Sequence, residues 1–163
     1  MTISELLNLN SSISKELRQR LVIRTSNGLS GDFGEWLFKQ AFGWKLEENS
    51  RAGYDAMSPE LGRIQIKCRR ITPRNPSRLL GSFRKLGEDP FDMLAAALLD
   101  ENYSVRRAAL IPIDVVKNHA SFNEHTNGHR FHLHDSIWTI SSVLNVTDEL
   151  RAVRTDAAPT ALN

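Results

Sequence analysis

The feature that most constrains this chain is a strict two-residue alternation in its first half. Ile64, Ile66 and Cys68 fall on one face of the segment, and Arg63, Gln65, Lys67 and Arg69 on the other. Period two is the signature of a half-buried β-strand. The residues just before it, Ser58-Pro59-Glu60-Leu61-Gly62, carry turn chemistry. Proline presets one backbone dihedral, and glycine accepts the positive φ that closes a tight reversal. Residues 55–67 therefore read as a β-hairpin. With the turn centred on Glu60, Asp55 stands opposite Gln65, and cross-strand neighbours are roughly 5 Å apart. Lys67 lies two residues further along the same face, roughly 7 Å from Gln65. A carboxylate, an amide oxygen and an ammonium thus converge on one patch. The plain alternative for Asp55 is an ordinary acid flanking a turn.

Charge is unevenly spread around that hairpin. The net charge is only +2, yet eight of the 21 Lys and Arg residues lie between positions 61 and 87, where no Asp or Glu occurs. The rest of the chain holds 13 basic residues against 19 acidic ones. A basic stretch beside a candidate site is the electrostatic footprint of a phosphate-binding face. Its competitor is a merely solvated loop. Arg63, Arg69, Arg70, Arg74, Arg78, Arg84 and Lys85 are the candidates to contact a nucleic-acid backbone such as DNA, and the interspersed Pro73, Pro76, Gly81 and Gly87 predict an exposed loop with one short helical turn near 79–83.

The order Gly53-Tyr54-Asp55, a short gap, then Gln65-Ile66-Lys67 resembles the PD-(D/E)XK nuclease superfamily in its glutamine-containing variant, and Mrr-type restriction nucleases in particular. As an order of elements the resemblance covers roughly residues 30–140; the motif itself is a few residues long. Tyr54 stands where the family name has proline, and Gln65 is neutral where an acid is usual. The resemblance implies an α/β fold, restriction-endonuclease-like, with a mixed β-sheet flanked by helices. It implies a metal-dependent DNA endonuclease of restriction, repair or defence type, using Mg2+ or Mn2+. Asp55, the side-chain oxygen of Gln65 and the backbone carbonyl of Ile66 would bind the ion, Lys67 would orient water or steady charge on the phosphate, and Glu35 would hold a water beside the ion. Losing one acid to Gln65 implies weak metal binding until a substrate phosphate adds its charge. The alternative is a non-catalytic DNA-binding or assembly subunit on a nuclease-like scaffold; a third reading makes the hairpin structural and the basic loop a dock for an acidic protein. Double-strand cutting needs two sites, hence a homodimer or a larger nuclease complex.

The other segments supply the frame. Three units are expected: a helical extension over 1–30, an α/β domain over 31–154, and a frayed tail over 155–163. Ile3, Leu6 and Leu7 form a short apolar segment, and Ser11 and Ser12 offer caps for an amphipathic helix over 12–25. A second helix spans 32–43, with Gly34 inside its apolar arc allowing close packing. Asp32 and Glu35 fit a capping box, which competes with a metal-site role for Glu35. Residues 44–57 open the sheet, with a loop or bulge at 49–53. The apolar run 91–99 fits helix or strand by composition; the resemblance favours a buried central strand, with 103–105 and 107–111 pairing beside it. Pro112 opens a short helix. All five histidines lie between His119 and His134; a plain surface loop is favoured there over a substrate-contacting loop or a zinc site. Ile137, Trp138, Val143 and Leu144 are candidate core anchors, and residues 147–150 a last helix. A single cysteine, Cys68, excludes an internal disulfide. With no apolar run long enough to span a bilayer and no signal-peptide pattern, the chain is expected to be cytoplasmic.

Overall fold

The computed structural model describes residues 1–25, 28–48 and 53–155. Its first helix, α1 (Ile3–Gln19), begins nine residues earlier than the serine caps predict. The reason is a stronger cap upstream. Thr2 Oγ1 accepts the Glu5 N–H at 3.2 Å, and Glu5 Oε2 accepts the Thr2 N–H at 2.6 Å. This reciprocal box satisfies two donors that a bare helix end would orphan. The helix stops short of residue 25 because the chain turns at Leu21, which takes φ +58°, and Val22 and Ile23 then dive into the core. Helix α2 (Leu29–Phe42) also starts three residues early, from Gly28.

The strands that follow are β1 (Lys45–Leu46), β2 (Ala56–Ser58), β3 (Gly62–Arg70), β4 (Leu79–Phe83), β5 (Met93–Leu99) and β6 (Val105–Pro112). Helix α3 (Ile113–His119) leads to β7 (Ser121–Asn123), β8 (Gly128–His132), β9 (Leu144–Asn145) and helix α4 (Thr147–Arg151). Six strands form one mixed sheet in the order β1-β2-β3-β5-β6-β9. Its pairs are antiparallel except β3 with β5, which run parallel. A second, antiparallel sheet has the order β4-β8-β7. The α/β class read from the sequence is what the chain adopts: a mixed sheet with helices around it.

The run 91–99 resolves as strand rather than helix because both of its faces are covered. Leu94, Ala96 and Leu98 join Phe83, Phe91, Ile111 and Phe131 in one cluster. Ala95, Ala97 and Leu99 join Leu37, Phe38, Trp44, Ile64 and Ile66 in the other. A strand buried on both faces reads as a continuous apolar run. The main sheet thus separates two cores, one under α2 and one under the small sheet.

Four expectations over residues 79–144 need correction. Residues 79–83 form a strand, not a helical turn, because β8 offers it an antiparallel partner and Leu80 and Phe83 alternate into the core. The segment 121–128 is a hairpin built from β7, a short 3-10 turn and the start of β8, rather than a loop. Leu144 is no core anchor: it is 51% exposed on the short edge strand β9, while Ile137 and Val143 are buried. Tyr103 stays outside β6 with φ +67°, so that strand starts at Val105 and runs to Pro112 as one element, with a register shift against β5 between Val105 and Arg107. The loop or bulge expected at 49–53 lies outside the described residues except for Gly53. Of the tail expected over 155–163, only Thr155 is among the described residues.

Candidate active site

The site is built on the β2–β3 hairpin. Ala56 pairs with Ile64, Met57 with Arg63 and Ser58 with Gly62, so the turn is centred on Glu60. Ser58 Oγ, buried at the turn, accepts the N–H groups of Glu60 and Leu61 at 3.4 and 3.3 Å. Gly62 takes φ +74°, the left-handed conformation that glycine adopts at least cost. The register carries Asp55 to the position opposite Gln65, and the Asp55 N–H donates to the Ile64 carbonyl at 2.8 Å. Gly53, two residues before, takes φ +107° and lets the chain bend into β2.

The Asp55 carboxylate turns onto the neighbouring strand. Its Oδ2 accepts the backbone N–H of Ile66 at 2.7 Å and the side-chain amide N–H of Gln65. No hydrogen bond to its Oδ1 joins it to another described residue. Lys67 follows on β3, paired in register with Ala96. Its ammonium stands 5.9 Å over the Phe83 ring and makes no ion pair with a described residue. Asp55, Ile66 and Lys67 line a cleft of about 270 Å3 together with Glu35, Glu47 and Glu48.

Glu35 reaches this cleft from the first half of α2. The helix starts early enough that Asp32 and Glu35 do not form the expected capping box. Asp32 is buried and instead fastens the chain before α2, its Oδ2 accepting the N–H groups of Arg24 and Thr25 at 3.1 and 2.9 Å. Arg24 is held in turn against Glu35. Its Nη1 donates to Glu35 Oε2 at 2.8 Å and its Nη2 to the Glu47 carbonyl at 2.6 Å. Arg24, Thr25, Glu47 and Glu48 carry no motif or periodicity that marks them in the sequence; only the packing of residues 22–25 against α2 assembles them.

The electrostatics follow from two acids sharing a poorly solvated cleft. Burial pushes Glu35 up to about 7; the negative charge of Asp55 adds to the shift and Arg24 opposes it. Asp55 is also raised by burial, against the pull of the Ile66 N–H, the Lys67 ammonium and the Gln65 amide. Such a pair gains from any cation that enters between them. Among the described residues no group of three His, Cys, Asp or Glu side chains is arranged to hold a metal. A cation here would depend on Asp55, supplemented by the Ile66 carbonyl and the Gln65 amide oxygen, with Glu35 placed in the same cleft to hold a water beside it. That all-oxygen donor set fits a hard divalent ion such as Mg2+ and not zinc. Gln65 at present offers Asp55 its nitrogen, so its oxygen joins the set only if the amide turns over.

The basic residues are largely committed to the protein. Arg63 holds Asp92 through Nε and Nη2 at 3.1 and 2.9 Å. Arg69 donates to the Ser77 carbonyl and to Asn75 Oδ1. Arg70 donates to the Tyr103 hydroxyl at 2.7 Å with its guanidinium 4.6 Å from that ring's centroid. Arg78 pairs with Asp135 at 2.9 Å, and Lys85 with Glu88 at 3.3 Å. Arg74 and Arg84 are exposed and make no ion pair with a described residue. His132 and His134 are exposed, with near-parallel rings 5.6 Å apart.

Among the described residues no helix is long and apolar enough to cross a membrane. Comparison of the sequence with protein-family models and with curated proteins finds no match.

Proposed function

We propose that this chain is a Mg2+- or Mn2+-dependent DNA endonuclease of the PD-(D/E)XK type, with its site on the β2–β3 hairpin. The observation that carries the reading is the Asp55 carboxylate, bonded to Gln65 across the hairpin, in a cleft that Lys67 of β3 and Glu35 of α2 also line. The divalent ion would supply Lewis acidity at the scissile phosphate and lower the pKa of an attacking water. Asp55 and the Ile66 carbonyl would hold it, with Gln65 joining through its amide oxygen. Lys67 is the cation of the cleft with no ion pair of its own among the described residues, and it is fixed by a strand paired on both sides. From there its ammonium would steady the charge that builds on the phosphate during attack. Glu35 accepts a proton near neutral pH because burial raises it, which suits a group that orders water next to the ion. Arg74 and Arg84 would contribute backbone contacts that set affinity and register rather than sequence choice.

One observation favours a second reading, that of a non-catalytic DNA-binding or assembly subunit. The Gln65 amide already occupies Asp55 Oδ2, so the acid is satisfied without any cation. The deciding experiment is cleavage of supercoiled plasmid with Mn2+ by wild type and Lys67→Ala side by side. Nicking or linearisation by wild type alone is the expected result. No cutting by either, with a retained and salt-sensitive gel shift, overturns the nuclease in favour of the second reading. Equal cutting by both removes Lys67 and the hairpin from the chemistry.

A further inference from the structure

Helix α1 is the one long element whose chemistry the proposed site leaves unused. It is 17 residues long and none of them is buried. Ile3, Leu6, Leu7, Leu9 and Ile13 are 78, 52, 64, 48 and 50% exposed. An isolated helix of this length is marginal in water unless an apolar face finds a partner. The apolar residues are not scattered. Ile3, Leu6, Ile13 and Leu17 fall at the inward positions of a heptad, with Asn10 at the fifth place in the same seam. Ile3, Asn10 and Leu17 take its first position, Leu6 and Ile13 its fourth.

The occupant of that stripe can be narrowed by charge. The polar side of α1 carries Glu5 and Glu16 against Lys15 and Arg18, with Arg20 at its C-cap. This mixture gives no drive towards an anionic bilayer, which selects a strongly basic face. A nucleic-acid backbone has no use for a leucine stripe. Asn10 is the discriminating residue. A lone asparagine in an apolar seam is costly unless its amide is met by another, and a second copy of the same helix, parallel and in register, supplies one. The apolar seam positions are mixed, Ile3 and Leu17 at the first place and Leu6 and Ile13 at the fourth, so strand number falls to Asn10, since a single asparagine at the first position specifies register and oligomer state. The flanking positions Leu7, Leu9, Ser14 and Glu16 bring no like charges together across such a pair.

We infer that α1 is a homodimerisation helix: two copies of this chain pair through parallel α1 helices, with Asn10 meeting Asn10 of the second copy. Six apolar side chains from each copy, at roughly 60–100 Å2 apiece, bury about 700–1,200 Å2, which is the scale of a reversible dimer rather than an obligate one. The inference does not depend on the nuclease reading, since it uses no residue of the cleft.

The test is sedimentation velocity of the full chain over about a hundredfold range of concentration, with wild type, Leu6→Glu and Ile13→Glu. Both substituted positions are exposed, so far-ultraviolet circular dichroism and melting report whether the body stays folded. A wild-type dimer that each charge converts to monomer is the expected result. Wild type monomeric throughout, or a dimer indifferent to both variants, overturns the proposal. Orientation is read separately by oxidising an Asn10→Cys variant. Wild type, whose single cysteine is Cys68, is oxidised alongside, and a disulfide-linked dimer formed by the variant alone reports the helix pair. Failure of Asn10→Cys to cross-link while the dimer persists overturns the parallel arrangement.

Discussion

Gly34 of α2 rests directly on Cys68 of β3: a Cβ built on Gly34 would lie 2.5 Å from the Cys68 Cβ. This contact sets how closely the helix that carries Glu35 approaches the strand that carries Lys67. The neighbouring atom is a Cβ fixed by its own backbone, so it cannot swing aside as a side-chain tip could. Gly34→Ala gains roughly 1 kcal/mol of helix propensity and forces an overpacking cost of about 1–3 kcal/mol. The net expectation is a lowered melting temperature. Cys68→Ala in the same background does not rescue it, because the clashing atom remains. A melting temperature for Gly34→Ala at or above wild type in a calorimetric scan would sink this account.

Glu35 makes the metal-free protein sensitive to pH. Its folded-state pKa is raised to about 7 from an ordinary value of 4.5, first by burial and then by Asp55 and Asp32, with Arg24 opposing. The folded state therefore binds the proton more tightly than the unfolded one. Stability from this group is complete below about 4.5 and is lost as pH rises towards and through 7. Glu35→Gln keeps a hydrogen-bond acceptor for Arg24 and removes the titration. The variant is expected to show a flatter stability profile between pH 5 and 8, gaining on the order of 1–2 kcal/mol relative to wild type at the upper end. Urea melts in chelator across that range check it, and parallel profiles for the two proteins contradict it.

Asp92 has the opposite sign. It accepts the Arg63 N–H at 2.7 Å and two guanidinium contacts from the same residue. Those bonds hold its carboxyl below the usual carboxylate range. Its contribution is present above the unfolded value and lost as pH falls through the folded one. The pair is well exposed, with side chains 38 and 47% accessible, so water and salt screen most of its Coulomb energy. Asp92→Asn is expected to cost no more than about 1 kcal/mol at pH 7. The difference from wild type should shrink below pH 4. A gap that widens with acid would show that the sign is wrong.

The parts of this architecture that were legible in the sequence are those where local chemistry and tertiary packing agree. Pro59 and Gly62 announce the hairpin, and alternation from Arg63 to Arg69 fixes its faces, so the pairing of Asp55 with Gln65 follows. The small residue at position 34 marked a close approach that the structure realises against Cys68. Elements were lost where a competing signal lay nearby. Ser11 and Ser12 outshone Thr2 as caps, although only Thr2 has a glutamate three residues on. Gly81 and the flanking arginines suggest a helical turn in a loop at 79–83, because the partner that makes it a strand, β8, lies some fifty residues away. The Arg24–Glu35 contact was invisible for the same reason: it depends on how the segment before α2 folds back, and no periodicity encodes that.

On the proposed reading, Gln65 sets how much negative charge a cation would meet at Asp55, to which it is bonded. Gln65→Glu places a second acid beside Asp55 and removes the amide that now donates to it. In the metal-free protein the change should destabilise the fold, since burial already raises Asp55. With Mn2+ present it should strengthen binding by about tenfold, because affinity for hard ions rises with ligand charge. Titration calorimetry in the absence of DNA separates the two effects. Unchanged Mn2+ affinity, with the destabilisation intact, would mean that position 65 does not face the ion.

Arg74 and Arg84 test whether the basic stretch meets DNA. Of the seven basic residues marked in the sequence, Arg63, Arg69, Arg70, Arg78 and Lys85 already hold partners within the protein. Neutralising Arg70, which stacks on Tyr103 while bonded to its hydroxyl, should cost stability before it costs affinity. Arg74 and Arg84 are exposed, so Arg74→Gln with Arg84→Gln should leave the melting temperature within about 1 °C of wild type. The double variant should weaken DNA binding uniformly across sequences. The slope of log affinity against log salt should fall by about 2, one for each lost phosphate contact. Fluorescence anisotropy over a salt series measures both quantities. An unchanged slope would place the DNA, if any is bound, on another face.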